Sequence, residues 1–72
     1  MEIKVEYGKK VKAIRKEKRI SQENLAELAD LDRTYVSDIE NGKRNVSIET
    51  AFKIASALQV PLTKFFEFTS LA

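Results

Sequence analysis

The chain has 72 residues, 13 of them basic and 11 acidic, with no cysteine and no histidine. This length makes one domain near the lower limit for a self-supporting core. The missing residue types exclude disulfides, thiolate metal sites, the usual general base and a near-neutral pH switch.

Apolar residues at 43% and charged residues at 33%, with two glycines and one proline, favour helices over sheet. No apolar run approaches the roughly 18–20 residues of a membrane span, so a soluble, cytoplasmic protein without membrane contact is expected. The net charge of +2 hides a segregation. Residues 1–20 carry eight basic and three acidic side chains, residues 21–40 one and six, and residues 41–72 four and two. Arg33 is the lone cation of the middle segment.

In chain order, Ile3, Tyr7, Val11 and Ile14 form a helical stripe and predict a first helix from about residue 3 to Lys18. Gly8 inside it costs about 1 kcal/mol against Ala and makes the first turns its weakest part. Lys9, Lys10, Lys12, Lys16 and Lys18 lie mostly off the stripe, as a solvated basic face or as phosphate contacts. Ser21 is a good N-cap for a second helix, Gln22 to Ala29, with Leu25, Ala26, Leu28 and Ala29 as its buried face. Asp30-Leu31-Asp32 supplies a helix stop, an inward apolar residue and the N-cap of a third helix, about Arg33 to Glu40.

Val36 and Ile39 are the apolar pair of that third helix, so Arg33, Thr34, Ser37 and Asp38 point away from the core. A short helix with one buried face and one polar face outside meets the requirement for a helix that enters a DNA major groove. Asn41-Gly42 ends it, with Gly42 free to turn left-handed. Ser47 then caps a fourth helix, about Ile48 to Gln59, whose apolar face is Ile48, Ala51, Phe52, Ile54, Ala55 and Leu58. Pro61 permits a short fifth helix from Leu62 to Phe66. The apolar cluster Val60, Leu62, Phe65, Phe66 and Phe68 is a large one for a single small core. Either it closes the bottom of the bundle or part of it forms an exposed patch, and one or two of these residues are expected to pair with a second subunit. The expected architecture is an all-α, compact five-helix bundle, one domain over residues 1–72, with a helix-turn-helix at 22–41.

These residues resemble a family. Arg15, SQENLA at 21–26, IENG at 39–42 and IASALQVPL at 54–62 stand at the spacing of the Xre/Cro-type DNA-binding domain of lambdoid phage repressors. Asp30 departs from the glycine usual in the family's turn, though Asp tolerates a left-handed backbone. The run DRTYVSDIENGKRN at 32–45 is more narrowly similar to the controller proteins of restriction–modification systems, which are small homodimers on paired operator sites. The resemblance implies a buried Arg15–Glu40 salt bridge and a phosphate contact by Gln22 at the start of the second helix. It also implies a sequence-specific, homodimeric regulator on a near-palindromic stretch of double-stranded DNA.

Within that reading each polar side chain has two possible roles. Arg33 reads a guanine bidentately or pairs with Asp30 or another nearby acid. Thr34 offers a methyl to thymine or a hydroxyl to phosphate. Tyr35 and Ser37 reach the sugar–phosphate backbone, unless Tyr35 is a partly buried ring beside Val36. Asp38 repels the wrong phosphate geometry or accepts from cytosine N4. Lys43, Arg44 and Asn45 hold the flanking backbone or form an ordinary solvated turn. The competing class is an antitoxin-type protein-interaction module that also binds its own promoter. An enzyme is not expected, because no catalytic cluster or glycine-rich phosphate loop is present. Neither a cofactor, a metal nor a small-molecule ligand is expected.

Overall fold

The computed structural model describes residues 2–68. Among these the chain forms α1 (Ile3–Glu17), α2 (Gln22–Ala29), α3 (Arg33–Glu40), α4 (Ile48–Leu58) and a 3-10 helix, Leu62–Phe66. The last element is the short fifth helix expected at these residues, wound as a 3-10 turn. Lys64 N–H bonds back to the Pro61 carbonyl, three residues earlier, at 3.0 Å, the tighter turn common in short connecting pieces. No helix is long and apolar enough to cross a membrane.

Local chemistry sets the boundaries. Ser21, Asp32 and Ser47 each accept a hydrogen bond from a first-turn backbone N–H, that of Asn24, Thr34 and Thr50 respectively. Asp30 closes α2 in a left-handed conformation at φ 57°, as its tolerance for that region allows, and Gly42 follows α3 at φ 73°. Two very short helices are thus started by side-chain caps and stopped where the backbone turns left-handed. Their stability then comes from packing.

The core is built from Tyr7, Val11 and Ile14 of α1, Leu25 and Ala26 of α2, Val36 and Ile39 of α3, and Ala51, Ile54, Ala55 and Leu58 of α4. Phe65 closes it from below at 0% exposure, against the Tyr7 ring with centroids 5.8 Å apart. Gly8 was read from the sequence as a weak point in α1. In the fold it lies against the end of α3, where a Cβ would overlap the Ile39 carbonyl oxygen and come within 3.0 Å of the Glu40 oxygen. The helix gives up some propensity there so that two backbones can touch.

Three residues assigned to buried faces lie outside. Leu28 is 60% exposed, Ile48 81% and Phe52 61%. Beside Leu28 and Phe52 the adjacent alanines, Ala29 and Ala51, take the buried position, and Ile48 lies in the exposed first turn of α4. Ile3, at the start of the α1 stripe, is also exposed. The Tyr7 hydroxyl is buried without a hydrogen-bond partner. Burial, and secondarily the nearby Tyr35, push its phenol above the ordinary tyrosine value.

Candidate nucleic-acid interface

Because Val36 and Ile39 are fully buried, α3 is held by one side only and its other side is fixed in direction. Arg33 and Thr34 are exposed on that free side and Ser37 is half-buried. These three line a shallow depression of about 180 Å³ together with Gln22 from the start of α2. Arg33 forms no ion pair among the described residues, so the alternative pairing with Asp30 is absent. Its guanidinium stays available at the first turn of α3, where an incoming base edge would lie.

Behind this face lies an ion pair. Arg15 Nε donates to Glu40 Oε2 at 2.6 Å and Arg15 Nη2 donates to Glu40 Oε1 at 3.1 Å, a two-pronged contact between buried groups. The third arm, Nη1, donates to the Ile20 carbonyl at 2.7 Å, which fixes the turn before α2. Gln22 Nε2 also donates to Glu40 Oε1, at 3.0 Å. A carboxylate only accepts, so this bond dictates which end of the amide faces inward. One N–H of Gln22 is therefore committed to the protein. Its carbonyl oxygen makes no hydrogen bond among the described residues, and Gln22 opens α2, where a phosphate meets the positive end of a helix.

The basic loop is partly engaged by α3. Arg44 Nε lies 3.5 Å from Asp38 Oδ2, and its Cζ lies 5.4 Å from the centroid of the Tyr35 ring. Tyr35 is half-buried against the core, so its ring acts as a packed shelf as well as a surface group. Lys43 and Asn45 are exposed. All of these residues are evident as polar candidates in the sequence, whereas their mutual contacts and the Gln22–Glu40 bond emerge only in the fold.

The second expected surface needs revision. Phe65 is removed from it, since a side chain with no exposed area has nothing to offer a partner. Val60 and Leu62 are half-buried against the core, Phe66 is 45% exposed, and Phe68 meets Phe66 edge-on at 6.0 Å. Ile48, which sequence reasoning placed in the core, lines a groove with Ile3, Leu62 and Phe66. Phe52, one turn along α4, lines a second groove with Leu28. The apolar band thus follows α4 as well as residues 60–68.

The Helix-turn-helix family profile matches residues 11–65. The control protein C.MunI from a Mycoplasma species is 52% identical over 66 residues, covering 90% of this chain and 89% of that protein. The restriction–modification controller protein C.AhdI from Aeromonas hydrophila superposes with a TM-score of 0.86 at 41% identity, over 88% of this chain and 96% of that one. The controller protein C.Esp1396I, solved as a tetramer in complex with its natural 35-base-pair operator, superposes with a TM-score of 0.85 at 39% identity, over 93% of this chain and 88% of that one. On a profile match that takes in most of the chain and likenesses that take in nearly all of it, this protein belongs to the Xre/Cro-type helix-turn-helix family.

Proposed function

We propose that this chain is a sequence-specific transcriptional regulator of the restriction–modification controller type. It binds a near-palindromic operator in double-stranded DNA as a homodimer, in the cytoplasm, with no cofactor and no catalysis. The observation that carries this reading is the one-sided burial of α3, which leaves Arg33, Thr34 and Ser37 directed outward beside Gln22. In this role Arg33 hydrogen-bonds guanine O6 and N7, and Thr34 meets a neighbouring base or phosphate. Ser37, Tyr35, Gln22, Lys43, Arg44 and Asn45 hold the sugar–phosphate backbone and set the register.

A monomer offers few cations to DNA, so the affinity of a pair is needed. We assign the pairing surface to the apolar band of Ile48, Phe52 and Phe66, with Leu62, Val60 and Phe68 at its margin. Two-fold pairing presents two copies of α3 to successive major grooves about 34 Å apart.

Selection of bound duplexes from a random library tests the reading, with sedimentation to count subunits on the selected DNA. A symmetric motif with half-sites about one helical turn apart, bound by two chains per site, is the expected result. No enriched motif, or a single half-site bound by one chain, would refute it.

A further inference from the structure

Asp38 is an odd residue for the face that meets a polyanion. A carboxylate set against DNA costs affinity unless it finds a donor there. In the folded chain its partner is an internal cation, since Asp38 Oδ2 lies 3.5 Å from Arg44 Nε while the same guanidinium rests over Tyr35. Asp38 and Tyr35 belong to α3 and Arg44 to the loop after it, so the contact folds the basic loop onto the recognition helix. Among Arg33, Lys43 and Arg44, only Arg44 has such an acidic partner within the described residues.

We infer that Asp38 is an internal competitor for Arg44, and that the exchange of partners on DNA makes binding conditional on sequence. The inference rests on the reading that α3 enters the major groove. In the free protein Asp38 holds the guanidinium and withholds one cation from indiscriminate phosphate contact. On DNA, Arg44 moves to the backbone or a base edge and Asp38 is left without a donor. The exocyclic N4 amine of cytosine supplies one with no acceptor beside it on the same base, whereas the N6 amine of adenine sits next to the N7 acceptor, and the acceptors of guanine and the O4 of thymine repel a carboxylate. The exchange is therefore compensated over cytosine and uncompensated over guanine or thymine.

The test uses the full chain with Asp38→Ala, Arg44→Ala and the double substitution. Affinity is measured on the selected operator and on a random duplex of equal length. A partly exposed pair of this kind limits the effect to about two- to fivefold. Asp38→Ala is expected to tighten random-duplex binding by that factor and to flatten the cytosine preference at one position per half-site. The tightening is expected to vanish when Arg44 is also replaced.

Tightening of equal size with and without Arg44 would make Asp38 a general repulsive charge and overturn the inference. Unchanged random-duplex affinity, or an unchanged base preference, would do the same. Asp38→Asn repeats the measurement should the alanine variant fold poorly. A wild-type chain that selects no motif at all refutes the regulator reading itself, whereas a wild-type motif with Asp38 and Arg44 uncoupled overturns this inference alone.

Discussion

Replacing Arg15 by alanine tests the part of the structure that joins the core to the outward face. The Glu40 side chain is 1% exposed and accepts two bonds from Arg15 and one from Gln22. Without the guanidinium, a buried carboxylate keeps a single neutral donor, and the Ile20 carbonyl loses its own. Breaking a buried pair from one side costs about 3–5 kcal/mol. A chain of this length has roughly 4–11 kcal/mol of total stability, so the loss is a large fraction of it. At about 4–8 °C per kcal/mol, the melting temperature falls by at least about 12 °C.

The assay is thermal and urea unfolding followed by circular dichroism at 222 nm, at equal protomer concentration because a dimer's midpoint depends on it. Replacing both partners by leucine is expected to recover most of the loss, since no charge is then stranded. A melting temperature for Arg15→Ala within about 2 °C of wild type would refute the reasoning, and weakened DNA binding alone would reassign Arg15 to the DNA face.

Gly8→Ala is expected to destabilise by about 1–3 kcal/mol in urea unfolding despite the better helix propensity of alanine, because the added methyl meets backbone carbonyls at the end of α3. Tyr7→Phe removes the orphan hydroxyl and is expected to be neutral or stabilising. The wild type should also lose stability as pH rises above about 10, where the unfolded phenol ionises and the buried one resists, and Tyr7→Phe should flatten that alkaline slope in unfolding curves. Phe65→Ala should cost about 3–5 kcal/mol in urea unfolding, whereas Phe52→Ser should leave monomer folding intact and shift sedimentation toward monomer. Arg33→Ala should flatten preference at one or two base pairs per half-site, while Lys43→Ala should weaken all sequences alike and shallow the salt dependence of the gel-shift affinity.

Helix starts and stops were legible because each is decided within four residues. Ser21, Asp32 and Ser47 cap their own helices, and Asp30 and Gly42 turn left-handed on local grounds alone. The division of apolar residues between core and surface was less legible. On α4 the apolar positions from Ile54 round to Phe52 span about 160° of the helix, wider than one core contact requires, and periodicity does not say which edge is surplus. Ile48 and Phe52 lie on that surplus edge and are exposed.

Phe65 and Phe66 are neighbours of identical type, and only the direction of the 3-10 turn decides which one fills the core. The need for glycine at position 8 was hidden because it depends on how closely another helix approaches. At the candidate site, residue types and spacing were enough to name Arg33, Thr34, Ser37 and Gln22. The grip of Asp38 and Tyr35 on Arg44 was not evident, since it forms across a turn and depends on where the loop folds back.

The one-sided burial of α3 has a consequence for how such proteins diverge. Positions 33, 34 and 37 contribute no side chain to the hydrophobic core, so substitutions there change the preferred operator at little folding cost. Position 38 is bound to position 44, and a change at either disturbs the other. A lineage sharing this frame can therefore multiply its operator vocabulary by single steps at three sites and by paired steps at a fourth. Several such regulators could then occupy one genome without answering to each other's promoters.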